Sequence, residues 1–495
     1  MSLYKKKSFW ILGSVFLLGF ITLFMIRLDL IQKYFFRPQI LAISAIKSSG
    51  DQETWMNIVQ GSRKIGFSHS RLAAEGSGYR FQETVRMRIN TMGMVQDINL
   101  ETGGRLNLDF SLADFDFTIK SGRFSFNVSG SVSGDVLTVR TQSAGTSRNA
   151  RIELEAKPYL LPGVTAAMSA VELQPGDHYS FDIFDPATMG QASVTAEVIG
   201  REDLPVMGKI QSATKVALNF KGNSQLAWFG DNGQILKEKG ILGIQMEKTT
   251  REDALQDLAD AASADLTRTA SVASNVMLED LAHLSTLRVE ISGIPMQTVQ
   301  LNGGRQALQA NILTVEKEAM TNLAANIQEG NLQNLEKIFL KPGPFIQSDD
   351  VKIQTLAQEI TGDQTAAVDK VRKLVAWVHQ HIDKRPVLSL PDALSTLENR
   401  VGDCNEHAVL LAALARAAGI PCRVEAGLVY LKGRFYYHAW NLVYLGRWIT
   451  VDAVFDQVPA DVSHIRLVTG SPSKQLDLMG IIGKLKLEVV ENDRT

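Results

Sequence analysis

Cys404, His438 and Asp452 are the side chains whose types and order could together do chemistry. A thiolate is a nucleophile, an imidazole is a base near neutral pH, and a carboxylate orients that imidazole. The three support acyl transfer through a thioester. Asp403 and Glu406 have the spacing of a capping box, which puts Cys404 at the first position of a helix ahead of the run Ala408 to Ala418. Gly419 and Pro421 end that helix. A cysteine so placed faces unpaired backbone N–H groups and the positive end of the helix dipole, which favour thiolate over thiol. The neighbouring Asp403 carboxylate opposes them.

His438 lies in the aromatic, strand-favouring run Phe435 to Leu445 (FYYHAWNLVYL), followed by Gly446-Arg447 and a second such run, Trp448 to Phe455 (WITVDAVF). His438 and Asp452 share one face of this hairpin only if the loop has an odd number of residues or a bulge corrects the count. With Leu445-Gly446-Arg447 as the loop, Tyr444 opposes Trp448, Trp440 opposes Asp452 and His438 opposes Val454. Asp452 then sits diagonally from His438, at a backbone separation of about 7 to 8 Å that side chains can close. A two-residue Gly446-Arg447 loop would send the pair to opposite faces.

Other readings compete for the same residues. Asp456 lies on the face of Asp452 under regular alternation and is the rival third member. Cys404, His407, Cys422 and His438 could suggest metal ligation, but Cys404 and Cys422 lie near opposite ends of a helix about 21 Å long. That separation also forbids a disulfide between them. His379 and His381, two apart on a helix, point away from one another and read as structural. Trp440 reads as a packing or shielding aromatic, and Asn441 alternates away from His438.

Gly402-Asp403-Cys404 opens a helix that ends in Arg416 to Pro421 (RAAGIP); Tyr437 to Trp440 (YHAW) and Trp448 to Asp452 (WITVD) follow. In this order and spacing the motifs closely resemble the transglutaminase-like superfamily. The resemblance covers roughly residues 345 to 460, including Pro342 to Val351 and the helix ending in Trp377-Val378-His379. It implies a papain-like α+β core with Cys404 as nucleophile, His438 as base and Asp452 orienting the imidazole. Cys422 stands where small residues such as alanine are common in relatives. No cofactor or metal is implied, and no D-x-[DN]-x-[DN]-G calcium loop is present.

These motifs need elements to hold them. Val368, Val371, Leu374, Val375, Val378 and Ile382 form one apolar stripe along a helix, and Pro391 is expected to open a shorter helix with Leu394 and Leu397 inward. From Trp55 to Lys248 the chain reads as strands. Leu106, Leu108, Phe110 and Leu112 alternate with polar residues before the phase slips to Phe115, Phe117 and Ile119, marking a bulge or turn near Ala113. An antiparallel sandwich, curved sheet or open barrel would satisfy this pattern, and binding or spacing is its expected task.

The expected fold class is α+β: a C-terminal transglutaminase-like domain, residues 345–495, preceded by a β-rich antiparallel domain, 46–250. A connector of helix and strands, 251–344, joins them. Residues 1–45 carry an N-terminal transmembrane helix, the uncharged run Phe9 to Ile26 behind Lys5, Lys6 and Lys7. Arg27 stands where small cleavage-site residues would be needed, so the run reads as an uncleaved anchor. The short basic N-terminus places the bulk of the protein outside the cytoplasm, in the periplasm if the source is Gram-negative. With Lys+Arg 51 against Asp+Glu 53 and no block of like charge, the chain lacks the basic footprint of a nucleic-acid binder.

Two functions follow. One is a membrane-anchored, extracytoplasmic thiol enzyme that cleaves or transfers peptide or isopeptide amides. The other is an inactive relative whose groove and β-rich domain bind an envelope protein or polysaccharide.

Overall fold

The computed structural model describes residues 51–494 except 123, 144–145, 221, 257–263, 322, 324–336, 388–390 and 471–475. The expected membrane segment Phe9–Ile26 lies outside the described residues. Among the described residues, no helix is long and apolar enough to cross a membrane.

Alternating burial along the N-terminal strands produces one sheet, fifteen-stranded among the described residues, built from two meanders. The first runs outward from Gln52–Gln60 to Thr146–Glu153; the second returns from Pro158–Tyr159 to Ile244–Thr249, which pairs antiparallel with Gln52–Gln60. Phe81, Phe115 and Leu137 of the first meander share a core with Phe181 and Val216 of the second. Val164, Ala167 and Met168 of the helix Leu161–Ser169 lie in that same core. A flat sheet cannot bring both meanders onto one helix, so the sheet curls around it.

The phase slip in the sequence is a turn. Leu106 pairs with Leu112 across Asn107–Ser111, where Phe110 has a φ of 59° and is buried while Leu108 is half exposed. Leu106 to Leu112 is thus the end of one strand and the start of the next, rather than one alternating run.

In the C-terminal part, helices Val351–Thr361, Ala367–His381, Ala393–Asn399 and Cys404–Ala417 share an apolar cluster with a mixed-order sheet. Its inner strands Cys422–Leu431 and Arg434–Tyr444 are flanked by Ile465–Thr469 and Val272–Ala273, and Trp448–Val451 pairs with Arg434–Tyr444. The expected stripe packs inward, with Val371, Leu374, Val375 and Val378 buried. Asp392, not Pro391, starts the short helix: its carboxylate accepts the Ser395 N–H at 2.8 Å. A side-chain acceptor satisfies an orphan donor, which proline cannot do. The strands Leu284–Ser292 and Ile312–Glu316 pair with each other, and Leu284–Ser292 also pairs with Lys486–Arg494. The apolar cluster runs from Leu278 to Val489, so these strands share the core of the helical unit.

Candidate active site

Local chemistry fixes the start of the Cys404 helix. The Asp403 carboxylate accepts the Asn405 N–H at 2.8 Å, and the Glu406 carboxylate accepts the Asp403 N–H at 3.0 Å, a reciprocal cap that puts Cys404 at the first helical position. Asn441 Nδ2 donates to the Ala408 carbonyl at 2.9 Å and ties the helix to the neighbouring strand. That strand pairs through Phe435 with Val272 and through Asn441 with Val451.

Cys404 retains some exposed surface, yet burial pushes its thiol well above its ordinary value, and the Asp403 carboxylate adds to the rise. The Ala439 N–H works the other way and is outweighed. The expected lowering by the helix N-terminus therefore does not prevail, because the end that offers its dipole is also desolvated and flanked by carboxylates.

The hairpin takes the odd loop. Tyr444 pairs with Trp448 and Asn441 with Val451, and the Leu445 N–H reaches the Arg447 carbonyl at 2.8 Å. Asp452 follows directly, and its Oδ2 accepts His438 Nε2–H at 2.6 Å in a buried pair. Asp452 Oδ1 accepts the Val454 N–H at 2.6 Å and the Phe455 N–H at 3.2 Å, so the carboxylate is fixed at both oxygens. Burial alone would raise the Asp452 carboxyl, but the His438 and His464 rings outweigh it and hold the group well below the usual carboxylate range. With Nε2–H on Asp452, the nitrogen of His438 left to accept a proton is Nδ1.

The remaining candidates fall elsewhere. Asp456 is an exposed turn residue with a φ of 55°. His407 Nδ1 donates to the Asp403 carbonyl at 2.7 Å, and buried Cys422 accepts from Asn441 Nδ2 at 3.5 Å, so the four-residue metal set is not assembled. His379 Nδ1 donates to the carbonyls of Ala453 and Val454, bracing the turn after Asp452. Trp440 is buried, donates to Glu425 at 3.3 Å and stands edge-on to His464.

His464 escapes the sequence reading. Fully buried, it places Nε2 2.9 Å from the same Asp452 Oδ2 and Nδ1 3.2 Å from Asp461 Oδ1. Burial would lower it, but its hydrogen bonds to the two carboxylates raise it to about 9. The signal was an aspartate and a histidine, Asp461 and His464, just ahead of the apolar strand Ile465–Thr469, where a packed core has little use for either.

His438, Asp452 and His464 are the one set among the described residues whose donor atoms cluster tightly enough to suggest a metal. A tetrahedral ion with bonds near 2.0 to 2.1 Å would hold its ligand atoms about 3.3 Å apart. The observed 2.6 and 2.9 Å are hydrogen-bond lengths, so the three residues as arranged do not fit an ion.

Residues 354–453 match the family model of the transglutaminase-like superfamily, so the C-terminal part of the chain holds a transglutaminase-like domain. The matched segment contains Cys404, His438 and Asp452. A search of curated proteins gave no match. Among solved structures, the chain resembles a proposed cysteine protease from Cytophaga hutchinsonii at 19% identity over 43% of this chain and 86% of that one, with a TM-score of 0.30. A β-barrel-like protein from Brucella abortus, of a domain of unknown function, is similar at 12% identity over 44% of this chain and 100% of that one, with a TM-score of 0.31. A proposed protease from Parabacteroides distasonis is similar at 10% identity over 52% of this chain and 64% of that one, with a TM-score of 0.20.

Proposed function

We propose that this protein is a thiol enzyme that cleaves or transfers peptide or isopeptide amide bonds through Cys404, His438 and Asp452. The observation that carries the reading is the buried 2.6 Å contact between His438 Nε2 and Asp452, on a strand that Asn441 ties at 2.9 Å to the helix opened by Cys404. His438 Nδ1 takes the thiol proton as Sγ attacks the amide carbonyl carbon. A C–S bond forms and the carbonyl π pair moves to oxygen, toward the Cys404 backbone N–H. As the carbonyl re-forms the C–N bond breaks, and the leaving nitrogen takes the proton from His438, giving a thioester. Water or a second amine, losing a proton to His438, then attacks the thioester; Sγ departs and is reprotonated, and an acid or a new amide is released. Asp452 stays ionised and holds the ring throughout.

The sequence supports a membrane-anchored, extracytoplasmic setting: the uncharged run Phe9 to Ile26, the basic tip before it and Arg27 after it. In that setting the curled sheet would bind or space an envelope component while the thiol acts on a protein or peptide.

One observation favours a second reading, a binding protein without activity: the raised Cys404 thiol, which makes thiolate scarce until a base takes the proton. Iodoacetamide titration across pH, with the labelled cysteine located by mass spectrometry, separates the two. The enzyme reading expects Cys404 to be labelled below pH 7 faster than a simple thiol and His438→Ala to abolish the difference, with buried Cys422 as internal reference. Labelling of Cys404 that follows a simple thiol in both proteins would favour the binder.

A further inference from the structure

Both ring nitrogens of His464 sit against carboxylate oxygens: Nε2 is 2.9 Å from Asp452 Oδ2 and Nδ1 is 3.2 Å from Asp461 Oδ1. An ionised carboxylate only accepts hydrogen bonds, and a neutral imidazole has a single N–H to give. Two such contacts on one buried ring therefore require it to be doubly protonated. Asp461 is itself anchored, through Ser463 at 2.6 and 2.9 Å and Gln457 at 2.8 Å, so it is built to hold a cation.

We propose that His464, as an imidazolium held between Asp452 and Asp461, is a positioning residue that sets how strongly His438 holds its proton; this rests on the thiol-enzyme reading above. His464 shares Asp452 Oδ2 with His438, and the two rings lie 5.9 Å apart. Without the cation, Asp452 and Asp461 would place two negative charges around His438 and trap its proton. With it, the buried group carries one negative charge before the thiol proton arrives and none afterwards. Transfer from Cys404 is then favoured, while release to a leaving nitrogen stays within reach. The charged groups facing the ring are Asp452, Asp461 and His438; Arg305 meets the His464 carbonyl at 3.1 Å, on the backbone side. Trp440 and Phe455 close the rest with aromatic edges, which keep water from screening the charge.

The test is the titration of histidine ring signals by NMR in the full chain carrying Cys404→Ala, where His438 titrates free of the thiol. His464 should remain an imidazolium through pH 8, and adding His464→Gln should raise the His438 titration by roughly one to two pH units. If His464→Gln does not fold, Asp461→Asn keeps the ring, removes the carboxylate at its Nδ1 and should lower the His464 titration. A His464 signal titrating below pH 7 in the otherwise unchanged protein, a His438 titration unmoved by His464→Gln, or a His464 titration unmoved by Asp461→Asn would overturn the assignment. Failure of the nucleophile reading is seen separately, in iodoacetamide labelling of Cys404 that ignores His438→Ala.

Discussion

Three buried ionisable side chains at the site set the pH range over which it contributes to stability. Asp452 and Asp461 are both held below the ordinary 3.8: burial opposes this, and their contacts with the two histidines and their neighbours prevail. Their folded values lie under their unfolded ones, so their contribution is present above about pH 4 and is lost as pH falls further. His464 has the opposite sign. It is raised from 6.5 to about 9, so its contribution is full below pH 6.5 and is lost as pH rises through about 9. That shift corresponds to about 3 kcal/mol. Thermal melts should therefore show wild type losing stability between pH 7 and pH 10 that His464→Gln, which lacks the group, does not lose. Equal slopes for the two proteins would mean that the ring is already neutral at pH 7.

The Cys404 helix offers its dipole and imposes a charge at the same end, and the two can be separated. Asp403 caps the helix through its carboxylate oxygen and also raises the Cys404 thiol. Asparagine caps about as well without the charge. Asp403→Asn should thus leave stability within about 0.5 kcal/mol while iodoacetamide labels Cys404 several-fold faster at pH 7; Asp403→Ala should cost about 1 kcal/mol. An unchanged labelling rate in Asp403→Asn would show that desolvation alone controls the thiol. This cap was legible in the sequence because it depends on a three-residue spacing. The Leu445-Gly446-Arg447 loop was legible because parity ties the side-chain face to loop length. His464 was not, since the chain from Asp452 to His464 winds through irregular turns with no period to extrapolate. Nor was the curl of the large sheet: alternation says which face is buried, but both meanders must converge on the helix Leu161–Ser169 before curvature is defined. The turn at Phe110 shows the same limit, because apolar residues two apart mimic a strand until backbone bonding reveals the reversal.

At the scale of the whole molecule, one side chain joins the curled sheet to the unit that holds Cys404. Phe345 is buried in the core of the sheet, with its ring 6.5 Å from Phe126. Its carbonyl accepts the Ala393 N–H at 3.1 Å, at the start of the helix that leads toward Cys404. Two residues on, Gln347 Nε2 donates to the Asp392 carboxylate that caps the same helix. Polar links also cross between the sheet and the C-terminal part. Arg148 pairs with Asp349 at 3.1 Å, Gln96 Nε2 donates to the Pro386 carbonyl at 2.7 Å, and Asn223 Nδ2 donates to the Met479 carbonyl at 2.7 Å. Magnitudes decide which of them holds the two units together. An ion pair as exposed as Arg148–Asp349 contributes under about 1 kcal/mol, whereas truncating a buried phenylalanine to alanine costs about 3 to 5 kcal/mol through lost burial and the cavity left behind. In urea unfolding, Phe345→Ala should lower stability by several times as much as Arg148→Ala. Because the insertion also braces the helix before Cys404, Phe345→Ala should make limited proteolysis cut first between the sheet and Val351. If Arg148→Ala proved the more damaging, the two units would be held by charge at their surface, and the insertion of Phe345 would be incidental to how the sheet supports the site.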